Sequence, residues 1–269
     1  MCILLLSYQM HPDYPLILAA NRDEYYNRPT RPLDYWDDAP DILAGRDLKN
    51  QGTWLGLTRT GRIAAITNFR EQALRNKNAP SRGLLVSNFS VGKESPKRYL
   101  EHVKTIGQRY NGFNLIVGDG DGIFYYSNRQ NSIQQISSGL YGLSNRLLDT
   151  PWPKVERGKA AFEALISSHA KINSEDIFSI LEDKTYPSDD TLPDTGFDLD
   201  WERILSPIFV FSSFYGTRSS SIILMEKSGK ITFWERTFIP DAFGSNNHKT
   251  RKFSFMTSEQ SSFYGNDSI

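Results

Sequence analysis

With one cysteine among 269 residues, the chain excludes an intrachain disulfide and any cysteine-rich zinc site. It carries no excess of charge either. Lys and Arg number 31 and so do Asp and Glu, so no field of one sign points to nucleic acid or an anionic membrane surface. No apolar run approaches the roughly 20 residues of a membrane span. The ILLL run after Cys2 is too short for a signal-peptide core and lacks a basic flank. These absences lead to the expectation of a cytoplasmic protein with no transmembrane segment and no nucleic-acid partner. G-x-G-x-x-G, the P-loop, G-x-S-x-G and H-E-x-x-H are all missing, and no internal repeat is visible.

What is present is patterned first for sheets. CILLLSY, PLILAA, TWLGLT and RIAAIT are short apolar or alternating runs, the form of half-buried or buried strands. Arg59-Thr60-Gly61 joins the last two at hairpin length. Helical signals follow from Ser81 to Phe89, and again after Ser95, a good N-cap, with Pro96 at the first helical position. Tyr99, Leu100, Val103, Ile106 and Tyr110 then share one helical face. NLIVG, IFYYS, SIQQIS and LYGLS form a second group of strands. Gly118 to Gly122 opens like a calcium loop but lacks the other ligands, and reads as a hairpin turn.

Helices return from Lys154 to His169 and from Ser174 to Glu182. An acidic stretch rich in Pro and Asp, YPSDDTLPDTGFDLDWE, reads as a long loop, the kind that rims or covers a site. Strands resume in IFVFSSF, RSSSIILME and ITFWERTF. The chain therefore divides into a single domain over residues 1–244 and a polar, frayed tail over 245–269. Runs of strands alternate with runs of helices. That order favours an α+β fold of two stacked, mainly antiparallel sheets between helical layers over a doubly wound parallel sheet.

Two stretches stand out chemically. Cys2 has a plain reading as a small hydrophobe in a buried strand. Its chemical reading is that Met1 is removed, since cysteine is small enough to follow a trimmed methionine. Cys2 then offers a thiol and a free α-amine on one residue, a nucleophile with its own base. The second stretch is LILAANRDE, where an apolar strand ends abruptly in four polar residues. A solvated strand end is the plain reading. If CILLLSY and LILAA pair as a hairpin, Asn21 to Asp23 lie beside the N-terminus. Asp23 can then hydrogen-bond the amine, and Arg22 can favour the thiolate.

MC at the start, LAANRDE with the following Arg28-Pro29, GTWLG, TNFR, SRG, GLSN, TPWPK and YGTRSSS occur in this order. This set resembles the NRDE family, also named for transport and Golgi organisation protein 2, over residues 1 to about 240. The family is in turn distantly similar to N-terminal-nucleophile hydrolases with an N-terminal cysteine. That resemblance implies a four-layer αββα sandwich. It implies a site of Cys2 as nucleophile, Arg22 and Asp23 beside it, Asn68 and Asn145 near the oxyanion, and Arg218. Adjacent Arg and Asp depart from the hydrolase spacing, which leaves the roles of Arg22, Asp23 and Glu24 open. Each residue also has a structural reading: Asn68 and Asn145 as turn formers after strands, Arg218 as half of an ion pair, Trp54 and Trp152 as packing. The expected function is cleavage of an amide or related acyl bond in a small molecule, with no cofactor required. The alternative is a non-catalytic binding or trafficking protein for haem or a lipid-like ligand on the same fold.

Overall fold

Strand parity decides what faces what in this fold. The computed structural model describes residues 2–71, 76–168, 171–239 and 247–257. β1 (Cys2–Tyr8) and β2 (Leu16–Tyr25) form an antiparallel hairpin, closed by the Gln9 N–H donating to the Pro15 carbonyl at 2.8 Å. Leu4, Leu6, Leu16, Leu18 and Ala20 point to one side of this hairpin, into a core shared with the second sheet. Ile3, Leu5, Ile17 and Ala19 point to the other, into a core shared with helices. Successive residues of a strand alternate faces, so a run apolar at every position is a strand buried on both sides.

The chain continues through β3 (Thr30–Trp36), β4 (Ala39–Asp47), β5 (Leu55–Thr58) and β6 (Ile63–Asn68). Next come α1 (Gly83–Val91), α2 (Pro96–Ile106), β7 (Phe113–Asp119), β8 (Gly122–Ser127), β9 (Ser132–Gln135) and β10 (Gly139–Leu143). Then follow α3 (Pro153–Ser167), α4 (Ser174–Leu181), α5 (Leu199–Ile204), β11 (Tyr215–Met225), β12 (Lys230–Phe238) and β13 (His248–Met256). One sheet has the order β10-β1-β2-β11-β12-β13 and the other β3-β4-β5-β6-β7-β8-β9, every neighbouring pair antiparallel.

Three cores fill the layers. The sheets pack on each other through Leu33, Leu43, Leu57, Ile63, Ile116, Tyr125, Ile223 and Phe233 among others. α3 and α4 cover the outer face of the first sheet with Phe162, Ile166, Ile177 and Phe178. α1 and α2 cover the second with Leu85, Val86, Phe89, Leu100 and Val103. The expected αββα sandwich is the architecture observed. No helix among the described residues is long and apolar enough to cross a membrane.

Four expectations are corrected. β2 does not end at Ala20: it runs on through Asn21, Arg22 and Asp23, all buried, because β1 and β11 flank it as far as Arg22 and Tyr25 respectively. The supposed tail contains β13, which pairs along β12 from Lys230↔Met256 to Phe238↔His248. Its Phe253 and Phe255 pack on the inter-sheet core, a period-two signal hidden among basic residues. The remainder of that segment lies largely outside the described residues. IFVFSSF is not a strand. It contributes only an isolated bridge, Phe211↔Gly216. Finally, the acidic loop holds a 3-10 turn at Asp189–Thr191 and the short helix α5, whose N-cap Asp198 accepts the Trp201 N–H at 2.8 Å.

Candidate functional site

The polar end of β2 faces two environments by the same parity. Arg22 follows Leu18 and Ala20 toward the opposite sheet. Its guanidinium lies 4.1 Å over the Trp54 ring, and Nη1 donates to Thr30 Oγ1 at 3.2 Å. Asn21 and Asp23 face the helical layer instead. The Asn21 amide donates to the carbonyls of Leu181 at the end of α4 and Ile208, at 2.7 and 3.0 Å, and its oxygen accepts the Ser220 hydroxyl at 2.6 Å. Asp23 Oδ1 accepts the Thr217 hydroxyl at 2.8 Å, and the Asp23 carbonyl accepts the Tyr215 hydroxyl at 3.0 Å.

Asp23 belongs to a buried set of four charges. Arg70 donates to Glu202 at 2.5 Å and sits 4.8 Å over the Trp152 ring. Lys154 donates to the Leu205 carbonyl at 2.8 Å. Asp23, Arg70, Lys154 and Glu202 are each 3% exposed, so two cations and two carboxylates balance where a lone charge would be prohibitive. Burial raises the Asp23 pKa, opposed by Lys154, the Thr217 hydrogen bond and Arg70. Burial likewise lowers that of Arg70, opposed by Glu202.

Beyond the strand end opens a cleft of about 570 Å³, lined on its floor by Arg22, Asp23, Trp54, Asn68 and Arg70. Its walls carry Arg28, Asp47, Glu71 and Arg82, and its rim the aromatic rings of Tyr25, Phe197 and Trp201. Arg28 holds Asp47 at 2.6 Å and Arg129 holds Glu71, so both wall carboxylates are neutralised by their own arginines. Gly52 and Gly83 let the two loops beside this wall meet. A Cβ on Gly52 would lie 2.5 Å from the Gly83 carbonyl carbon.

Of the residues expected from sequence, Arg22, Asp23, Glu24 and Asn68 line this cleft. The β1–β2 register sets Cys2 directly opposite Arg22. Asn145 and Arg218 are not among its walls. Asn145 is fully buried and its amide donates to the Asn68 carbonyl at 2.9 Å, while its own carbonyl accepts the Arg70 N–H at 2.7 Å. It therefore holds the Asn68–Arg70 turn from behind. Arg218 is the extra residue of a β-bulge between Thr217↔Asp23 and Ser219↔Arg22. Its Nη1 donates to the carbonyls of Tyr25 and Arg28, at 2.8 and 3.2 Å, fixing the turn after β2.

Sequence reasoning missed Arg70, Lys154, Glu202 and Glu235. Arg70 and Lys154 sit inside TNFR and TPWPK, beside the asparagine and tryptophan that stand out there. Glu235 had a clear signal: it occupies an apolar position in the alternation Ile231, Phe233, Glu235. Trp54 and Trp152 each stack on a guanidinium, that of Arg22 and that of Arg70, and Trp54 also lines the cleft.

Residues 1–240 match the family model described as Transport and Golgi organisation 2. The chain is 36% identical over 274 residues to the Transport and Golgi organization protein 2 homolog of Bos taurus, covering 93% of this chain and 99% of the relative. It is 35% identical over 277 residues to that of Homo sapiens, covering 96% and 100%. Among solved structures, the C2A mutant of conjugated bile acid hydrolase from Clostridium perfringens matches with a TM-score of 0.51 at 11% identity, over 94% of this chain and 97% of that one. At that identity the likeness is one of fold.

Proposed function

Because this chain belongs to the Transport and Golgi organisation 2 family and has the fold of N-terminal-nucleophile hydrolases, we propose that it cleaves an amide or related acyl bond of a small molecule, with the Cys2 sulfur as nucleophile. The observation that carries this reading is the register Cys2↔Arg22 at the edge of a polar cleft. Removal of Met1 gives Cys2 a free amine. The amine accepts the thiol proton, and the sulfur attacks the carbonyl carbon. Asn68, held by Asn145, donates to the oxyanion; losing one such donor lowers rates roughly 10²–10³-fold. The protonated amine returns its proton to the leaving nitrogen, a thioester forms, and water releases the acid and regenerates the thiol. Arg22 favours the thiolate. Asp23, buried near the strand end, orients the amine. The name of the bile acid hydrolase mutant, C2A, places a cysteine at position 2 of that enzyme as well. The carrier reading for haem or lipid gains less support, since the cleft floor and walls are mainly charged and amide side chains.

Iodoacetamide labelling at pH 7 tests this. Cys2 should react faster than an ordinary thiol in the folded protein, and Arg22→Ala should slow it roughly tenfold, one unit of thiol pKa. Intact mass should show Met1 absent. A Cys2 that labels slowly when native and quickly in denaturant, indifferent to Arg22→Ala, overturns the reading.

A further inference from the structure

Glu235 is a buried carboxylate that the chemistry above does not use. It is 2% exposed, on the inter-sheet face of β12. Its Oε1 accepts the Leu33 N–H at 2.6 Å and the Thr237 hydroxyl at 3.4 Å. Leu33 lies where the pairing of β3 with β4 slips, between Arg31↔Arg46 and Asp34↔Ala44. A bulge there turns an N–H out of the ladder. The same strand, β3, also supplies Thr30, the acceptor for Arg22. Arg22 and Glu235 thus both reach across the sandwich to β3, three residues apart.

Within their own sheet the two are close as well. The row Cys2↔Arg22, Arg22↔Ser219, Ser219↔Thr237 crosses four strands, and Glu235 stands two residues from Thr237 on the same face. Burial raises the Glu235 pKa, and the charge of Arg22, on the same face from β2, lowers it. From β13 the cross-strand neighbour is Arg251, whose guanidinium binds the Leu33 carbonyl at 3.2 Å and the Asp34 carboxylate at 2.6 Å. β11 offers Ser219 and Ser221, and β3 offers backbone. Asp47, a second carboxylate on which the Arg22 charge acts, is paired with Arg28.

We propose that Glu235 is a positioning residue: its carboxylate is the counter-charge of Arg22 and sets how much of that cation's field reaches residue 2. The proposal rests on the reading of Cys2 as a nucleophile beside Arg22. Trp54 and Thr30 keep the guanidinium in place, so removing the carboxylate leaves the cation less opposed, and the thiolate gains.

Glu235→Gln retains an oxygen to accept the Leu33 N–H and removes only the charge. Cys2 is the one cysteine, so the pH dependence of iodoacetamide labelling reads its thiol alone. The midpoint should fall in Glu235→Gln, with labelling at pH 7 roughly two- to tenfold faster, at most about one unit of thiol pKa. In an Arg22→Ala background the same substitution should shift the midpoint much less, and Glu235→Asp should stay near wild type. A midpoint unchanged or raised in Glu235→Gln, an equal shift in both backgrounds, or an Asp variant that behaves as Gln overturns the proposal. A second measurement stands even if the Gln variant does not fold. In carboxyl ¹³C NMR, Arg22→Ala should raise the Glu235 titration midpoint, and no movement overturns the pairing. A thiol that responds to Arg22→Ala but not to Glu235→Gln sinks this proposal alone. A thiol that titrates as an ordinary cysteine and ignores Arg22→Ala sinks it together with the nucleophile.

Discussion

Asn21 and Arg22 are neighbours in the chain and strangers in space, because β2 turns them to opposite faces. Asn21 ties α4 and the Ile208 backbone to the sheet through two carbonyls. Replacing it by Ala leaves those acceptors and the Ser220 hydroxyl without their partner, at about 1–3 kcal/mol for each buried group. Asn21→Ala should therefore lower folding stability with little change in Cys2 labelling per folded molecule, while Arg22→Ala should do the reverse. Denaturant titration beside native-state labelling checks both. Glu235 gives a pH signature of its own. Burial raises its pKa above the unfolded value of about 4.5, so the native state holds this proton more tightly than the unfolded chain. Its contribution to stability is then complete below the unfolded pKa and is lost as pH rises through the native one. Glu235→Gln has no such loss. Relative to wild type the variant should gain stability between pH 4 and pH 8, read by urea unfolding at both.

At the scale of elements, α5 is held to the site by the buried bond of Glu202 to Arg70 and, at its C-cap, by that of Lys154 to the Leu205 carbonyl, while Trp201 packs edge-on against Phe214 and Tyr215. Breaking a buried pair from one side costs about 3–5 kcal/mol, and removing both partners costs less. Glu202→Leu should loosen the 186–204 segment to proteases, and Arg70→Met with Glu202→Leu should restore much of the loss. Equal cleavage of the single and double variants would count against this. The same segment shows what sequence does and does not reveal. α2, α3, α4 and most strands were readable because their apolar patterning is strong, as in Tyr99, Leu100 and Val103 of α2, whereas α1 is an apolar run with no such stripe. α5 was not: six residues with a single buried side chain, Glu202, leave no stripe. β3 and β4 were hidden by Pro, Asp and Arg among their apolar positions, and β13 by the exposed His248, Lys249 and Lys252 and by Arg251, which turns inward to Leu33 and Asp34. At the site, Arg22, Asp23 and Asn68 were legible as polar residues closing apolar strands. Asn145 was legible as a candidate but not in its placement, since a strand-end asparagine looks alike whether it faces a cleft or a backbone carbonyl.

For the molecule as a whole, β13 is a working edge strand. Phe253 meets Tyr35 of the opposite sheet edge-on at 5.6 Å, and Phe255 joins the same core. A chain ending at residue 247 should expose Ile231 and Phe233 and lose several degrees of thermal midpoint, with aggregation through the bared edge of β12. Unchanged melting would show that β13 adds nothing. The strand order has a further consequence, in time. β1 is apolar on both faces, yet its second neighbour is β10, residues 139–143, and β2 waits for β11, residues 215–225. At roughly 5–20 residues per second of synthesis, β1 stays unsealed on the order of ten seconds after it is made. The hairpin that carries the candidate site is thus made well before the strands that close it. A pause or premature stop anywhere before residue 215 strands it as a sticky, half-built sheet, so the yield of this protein should depend on chaperones that hold nascent chains.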